Sequence, residues 1–259
     1  MKIARARLGR RSFYGQVQGN ELVEIRGNLF GRYHTTGTRY RLSDVKLLPP
    51  TQPTQIWCPG LNFLDHLATS AALGGHATRP EHPEPWHKGI NGLIGHEDYI
   101  VIPKDSSGNV HYEGELVAVI GRPCRRVSPS EALGYVLGYT CGNDVSERDW
   151  QRGDRYMWRA KGSDSFCPVG PCIETDLDPR SVGMMVRLNG RQVAKANTHD
   201  MIFAFANIIS YISQQVTLKP GDLVFSGTTG ETSAMRPGDV VEVEMEGVGT
   251  LRNYVKLEQ

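Results

Sequence analysis

The chain has 259 residues, 39% hydrophobic and 22% charged, the balance of a globular protein with a sizeable core. Lys+Arg is 29 and Asp+Glu is 28, so a formal net charge of +1 gives no electrostatic footprint for nucleic acid or an anionic membrane. No apolar run approaches the ~18 residues needed to span a bilayer. The basic start lacks the apolar stretch of a signal peptide. Five cysteines (Cys58, Cys124, Cys141, Cys167 and Cys172) contain no C-x-x-C pair, which argues against a disulfide framework or a structural zinc and for a reducing cytoplasm.

In chain order, residues 1–50 read as a small β-rich N-terminal domain. Strands are expected at residues 2–8, 13–18 and 22–25, broken by Gly9, Gly15, Gly19 and Gly27. Residues 47–53 read as a linker, because Pro49, Pro50 and Pro53 suit neither a helix nor a central strand. Residues 51–259 follow as the larger domain. Residues 62–73 have helical spacing through Phe63, Leu67 and Ala71, and residues 74–85 read as a Gly-, Pro- and His-rich loop. Strands are expected at residues 99–102 and 110–120, and a helix opens at Ser128-Pro129. The clearest helix signal runs from Asp200 to Gln214, with Ile202, Phe205, Ala206, Ile209 and Ile212 on one side. The last third is β-rich, with Pro220-Gly221-Asp222 and Pro237-Gly238-Asp239 as paired turns.

Chemistry concentrates in Tyr112-Glu113-Gly114-Glu115. Residues i and i+2 of a strand face the same way, so Glu113 and Glu115 are expected as neighbours on one face. The following residues are apolar on both faces and read as buried. Two carboxylates at the mouth of a buried strand repel each other and are desolvated; a hard divalent cation relieves both costs. Gly114 leaves room for a close approach. A third carboxylate stands at Gly142-Asn143-Asp144, either as a functional strand-end aspartate or as the cap of the next helical turn. Glu242, Glu244 and Glu246 also alternate, but opposite Val241, Val243 and Met245, the pattern of a half-exposed strand with a solvated face.

Six blocks in order resemble the fumarylacetoacetate hydrolase family: Gly60-Leu61-Asn62-Phe63-Leu64-Asp65-His66; Tyr112-Glu113-Gly114-Glu115-Leu116; Gly138 to Ser146; Arg159 to Phe166; Leu218 to Asp222; and Glu246 to Gly249. The resemblance covers about Trp57 to Tyr254. It implies a mixed, mainly β fold, a rolled β-sandwich with a few helices and a small N-terminal domain, usually as a homodimer. It implies Mg²⁺ or Mn²⁺ held by Glu113, Glu115 and Asp144. It also implies His66 and Lys161 as catalytic residues, and Arg148, Gln151 and Thr228 as contacts to a small 2-oxo acid. Members hydrolyse carbon–carbon bonds of acylpyruvates, decarboxylate oxaloacetate-like acids or isomerise unsaturated 2-oxo acids, so one site hosts several reactions.

Such a site makes chemical sense, because a 2-oxo acid can chelate a metal that stabilises its enolate, with Lys161 neutralising the same charge. If the segment after Asp144 is helical, Arg148 and Gln151 lie on one side with it. Two departures cut into the hydrolase assignment. Hydrolytic relatives carry a Glu three residues after the lid His to activate water, and Thr69 stands there in this chain. Glu81, His76 or His82 are the available substitutes. Relatives also carry Thr-Gly-Thr-Pro, against Ser226-Gly227-Thr228-Thr229 here. An acylpyruvate-type hydrolase is therefore weighed against a decarboxylase or isomerase, and against a member that keeps the metal but has lost catalysis.

Overall fold

A computed structural model describes residues 1–65, 67 and 78–259. Among these residues, twelve strands form one large sheet and five form a second, with few helices, so the fold is mainly β as expected. The strand Gly114–Ile120 is buried along its whole length. It lies between Val136–Asn143 and Leu223–Phe225, antiparallel to both, and because both of its faces are also covered, Leu116 to Ile120 are apolar on both sides rather than alternating. The second sheet, in the order Arg191–Asn197, Gly183–Leu188, Val240–Met245, Gly249–Leu257, Tyr99–Ile102, packs over the first. Gly114 marks the contact, since a Cβ there would stand 2.5 Å from Val186 Cγ2 and 3.2 Å from Val243 Cγ1. The close approach expected at Gly114 is thus made by valines of the facing sheet.

The N-terminal strands join the same large sheet. Lys2–Leu8 pairs with Arg11–Gln18 on one edge and with Lys46–Leu48 and Cys167–Glu174 on the other. The proline-rich stretch after Lys46–Leu48 is packed rather than free: Thr51 is buried and its hydroxyl donates to Gly221 O at 2.8 Å. The Pro220-Gly221-Asp222 turn is the counterpart. Asp222 is fully buried and accepts from Thr54 N (2.8 Å), Gln55 N (3.0 Å), Lys219 N (2.7 Å) and the Thr54 hydroxyl (2.9 Å). Replacing Asp222 by Ala leaves three part-buried backbone donors without their acceptor, and urea unfolding is expected to show a loss of about 1–3 kcal/mol. An unfolding midpoint equal to wild type would refute this account of the turn.

Several expected elements have different boundaries. The strand expected over residues 110–120 is two strands, Val110–His111 and Gly114–Ile120, with Tyr112 and Glu113 between them. The helix expected from Asp200 is Phe205–Gln215, preceded by a 3-10 turn at Thr198–Asp200. Ile202 N and Phe203 N donate to Asn62, to its backbone O (2.7 Å) and its Oδ1 (2.9 Å), and Ala204 is extended (φ −66°, ψ 160°), so the helix begins only at Phe205. The helix at Ser128-Pro129 runs only to Ala132 before a 3-10 turn, because Val136 already pairs with Ile120. The helix expected at residues 62–73 starts with Leu67 N donating to Phe63 O at 3.0 Å, and most of the remainder lies outside the described residues. All five cysteines are buried and free. None of the described helices is long and apolar enough to cross a membrane.

Candidate metal centre

Three chain segments meet where the central strands end. Gly114 pairs with Asn143 and Glu115 with Gly142, so the Asn143-Asp144 corner lies beside the Glu113-Gly114 corner. Glu113 N donates to Asn143 Oδ1 and Asp144 N to Glu113 O, both at 2.8 Å. On the other side, Ser226 continues the neighbouring strand, with Ser226 N donating to Leu116 O at 3.0 Å. Gly227 N then reaches Glu115 Oε2 at 2.6 Å, and the Thr228 hydroxyl donates to Gly114 O at 3.2 Å.

Glu113, Glu115 and Asp144 each offer one oxygen within 4.8 Å of the others, and all three are buried. The expected grouping is present, but its origin differs for Glu113, which lies outside the ladder. Its carboxylate converges through the paired backbone bonds to the Asn143-Asp144 corner, not through strand alternation. Glu242 and Glu244 instead sit on a half-exposed strand face, paired with Arg252 (2.8 Å) and Arg187 (2.5 Å).

Three cations face the carboxylates. Lys161, on the short helix Trp158–Gly162, places Nζ 2.6 Å from both Glu113 Oε2 and Asp144 Oδ2. Arg148 places Nη2 2.5 Å from Glu113 Oε1. Sequence reasoning missed the third. Lys88 is fully buried, with Nζ 2.6 Å from Asp144 Oδ1 and 2.5 Å from Lys161 O. Both lysine Nζ atoms lie over Trp86, 5.5 Å and 5.4 Å from the ring centroid, a cation–π contact in a dry environment. The one available signal was the Trp86-x-Lys88 spacing on a short strand, which by itself reads as a surface lysine.

The electrostatics are uneven. Burial alone would lower the Lys161 ammonium's pKa, but Asp144 and Glu113 outweigh it and leave the value raised. Glu115 is pushed well above the usual carboxylate range by burial and by the neighbouring Asp144 and Glu113. Among the described residues, no lysine or arginine bonds Glu115, which accepts from the Gly227 amide. Glu115 is therefore the least compensated of the three carboxylates. An all-oxygen donor set of this kind suits a hard divalent cation, so the residues present fit Mg²⁺ or Mn²⁺.

The substrate-contact candidates divide. Arg148 and Gln151 share the four-residue helix Arg148–Gln151, and Arg148 Nη1 donates to Gln151 Oε1 at 2.8 Å. Asp144 is not on that helix. The helix is capped by Glu147, which accepts from Trp150 N at 2.5 Å, so the capping role open to Asn143 and Asp144 falls to Glu147 instead. Thr228 stands over Gly114, and the next hydroxyl, on Thr229, donates to Asp65. Asn62 donates to Ser226 O (2.7 Å) and Phe203 O (3.0 Å), stapling the start of the His66 segment to the same turn. His66 itself, with Thr69 and His76, lies outside the described residues. Of the other proposed substitutes for the missing Glu, Glu81 is exposed, and His82 stacks on Tyr211 with ring centroids 5.3 Å apart.

Comparison with known proteins agrees with this geometry. Residues 55–256 match the Fumarylacetoacetate (FAA) hydrolase C-terminal family, and residues 1–50 match an Rv2993c-like, N-terminal family. A 2,4-didehydro-3-deoxy-L-rhamnonate hydrolase from Sphingomonas sp. is 40% identical over 208 residues, covering 76% of this chain and 71% of its own length. A human mitochondrial oxaloacetate tautomerase is 33% identical over 226 residues, covering 82% and 70%. The solved 5-carboxymethyl-2-hydroxymuconate delta-isomerase from Mycobacterium smegmatis superposes with a TM-score of 0.91 at 36% identity, over 100% of both chains. A maleylpyruvate hydrolase from Sphingobium sp. SYK-6, solved with manganese(II) and pyruvate, gives 0.81 at 26% identity, again over 100% of both. The matched family spans most of the chain and includes every corner of the carboxylate cluster, so this protein belongs to the fumarylacetoacetate hydrolase family.

Proposed function

We propose that this chain is a Mg²⁺- or Mn²⁺-dependent enzyme of 2-oxo acids that hydrolyses the carbon–carbon bond of an acylpyruvate-like substrate. The observation that carries the proposal is the buried Glu113, Glu115 and Asp144 cluster with the Lys161 ammonium on two of its members. A divalent ion held by those three carboxylates would supply Lewis-acid stabilisation of negative charge on a 2-oxo acid. Lys161 supplies a fixed positive charge and a proton donor beside the oxygen where enolate charge develops. Arg148 and Gln151 bind the substrate carboxylate, and Thr228 lines the pocket over Gly114. Water, positioned by His66, adds to the acyl carbonyl carbon. The bond from that carbon to the pyruvyl methylene breaks, its electron pair passes to the 2-oxo acid, and protonation there gives pyruvate and the free acid.

A second reading is tautomerisation, isomerisation or decarboxylation of an oxaloacetate-like or unsaturated 2-oxo acid. Thr69 favours it, since enolate chemistry needs no water-activating His–Glu pair. The relatives named above carry hydrolase, isomerase and tautomerase names, which supports the shared enolate chemistry more strongly than either outcome. Purified protein with Mn²⁺ is to be assayed on acetylpyruvate and on the enol form of oxaloacetate. Release of pyruvate with acetate is the expected result. Loss of the oxaloacetate enol, either as the keto form or as pyruvate with CO₂, with acetylpyruvate untouched, would replace hydrolysis by the second reading. If both substrates stay unchanged, an inactive metal-binding member is the better description.

A further inference from the structure

Beside the metal cluster, a second set of polar contacts surrounds Arg148. Arg148 Nη2 donates to Glu113 Oε1 at 2.5 Å and to the Thr232 hydroxyl at 2.9 Å, while Nη1 donates to Gln151 at 2.8 Å. Thr232 Oγ1 is also 2.8 Å from His111 Nδ1, and His111 Nε2 is 2.8 Å from Asn109 Oδ1. Asn109 Nδ2 donates to Asp149 Oδ1 at 3.1 Å. Asp149 follows Arg148 in the chain, so the contacts form a closed ring through the helix, the turn before Val110, the strand Val110–His111 and the loop carrying Thr232.

The hydrogen positions in this ring are determined by its ends. Asp149 can only accept, which fixes the Asn109 amide with Nδ2 towards Asp149 and Oδ1 towards His111. Asn109 Oδ1 can only accept, so His111 carries its proton on Nε2. In the neutral imidazole Nδ1 is then an acceptor, and it takes the Thr232 proton. A guanidinium can only donate, so Arg148 takes a lone pair of the same hydroxyl. Each member therefore has one orientation available. The direction of donation runs from Arg148 to Thr232, His111, Asn109 and Asp149 without a break.

We propose that His111 is a positioning residue: acting through Thr232, it fixes the Arg148 guanidinium in the orientation that binds the substrate carboxylate. The inference rests on the reading of Arg148 as a carboxylate contact. It adds two residues that touch neither the metal cluster nor the substrate. The ring gives the hydroxyl at position 232 two partners, Arg148 and His111. Without Thr232, Nη2 would keep only Glu113, a carboxylate that a bound ion would share, and Nη1 only Gln151, so the guanidinium would be less firmly set and each substrate encounter would have to order it.

The test uses the Mn²⁺-loaded full chain and oxalate, a chelating mimic of pyruvate enolate, followed by calorimetry, with the metal titrated separately. Thr232→Val and His111→Phe are each expected to weaken oxalate binding about tenfold, with the Mn²⁺ dissociation constant within threefold of wild type. Thr232→Ser is expected to restore oxalate binding. The double variant T232V/H111F is expected to be no weaker than T232V alone, because both act through one path. With acetylpyruvate, the same variants are expected to raise KM more than they lower kcat. Oxalate binding by T232V equal to wild type would overturn the inference, as would multiplicative losses in the double variant. So would a parallel loss of Mn²⁺ affinity in folded T232V, which would mean a general structural role. A wild-type protein that binds Mn²⁺ but no oxalate would overturn the 2-oxo acid reading itself, a result distinct from all of these.

Discussion

Glu115→Gln is expected to abolish metal binding while leaving the metal-free protein as stable as wild type or more so. The side chain is almost isosteric, and its amide oxygen can still accept the Gly227 N–H that Glu115 accepts at 2.6 Å. What disappears is an ionisable carboxyl group that is buried, lies beside two other carboxylates and, among the described residues, is bonded by no lysine or arginine. Removing it relieves repulsion and desolvation, which is expected to raise the metal-free unfolding free energy by roughly 1–2 kcal/mol. The same change removes one of three oxygen ligands, and Mn²⁺ affinity is expected to fall at least ~100-fold, above the range for outer-shell partners. At 100 times its dissociation constant, Mn²⁺ stabilises the wild-type fold by about 2.7 kcal/mol. In the variant that stabilisation should vanish, and activity with it. Thermal unfolding with and without Mn²⁺ reads both effects in one experiment. A variant stabilised by Mn²⁺ as strongly as wild type would remove Glu115 from the site.

Lys88→Met should do the opposite. Lys88 is fully buried and bonds Asp144 and the carbonyl of Lys161. Methionine fills much of the same space but leaves Asp144 with one cation fewer in a dry pocket. Breaking a buried pair from one side costs about 3–5 kcal/mol, a large part of the ~5–15 kcal/mol that holds a domain together. The melting temperature is expected to drop by on the order of 10 °C. Excess Mn²⁺ is expected to recover part of that loss, because the ion returns positive charge to the same carboxylates. Changing the exposed Lys104 to Met is the control, expected to stay within ~0.5 kcal/mol. A Lys88 variant that also stays within that range would show that Asp144 is compensated without it.

The sequence carried Glu113 and Glu115 because acidic residues beside an apolar run are costly and therefore conspicuous, whereas Asp144 was legible only through the family resemblance, since Asn143-Asp144 alone also reads as a cap. It did not carry Lys88, because a lysine near a tryptophan is unremarkable until the fold buries it. Nor did it carry the interruption at Tyr112 and Glu113, which arises from Asn143 and Asp144 thirty residues on, bonding the Glu113 backbone. Strand Tyr33–Arg41 escaped notice for a different reason. It is an edge strand that buries none of its residues fully, so it has no apolar alternation to read. Cys167–Glu174 was hidden by Pro168 and Pro171, which argue against a central strand. A shift in register opposite Tyr139 and Cys141 accommodates it there. The start of the long helix has the same character, since Asn62, far away in the chain, ties down residues 202 and 203 and the backbone turns helical only after the extended Ala204. Elements set by their own periodicity were legible; those set by a distant partner were not.

The pairing of Lys2 and Ile3 with Glu174 and Ile173 has a consequence for how the chain is made. On the ribosome the first strands emerge early, yet the edge that Lys2–Leu8 offers is only partly covered by Lys46–Leu48. Its remaining partner is translated much later, on the order of ten seconds at ~5–20 residues per second. During that interval the growing chain presents an open strand edge to its neighbours on a polysome, a template for pairing with the wrong copy. Nascent-chain quality control, rather than the stability of the finished fold, is where substitutions at Lys2 or Ile3 should first be felt.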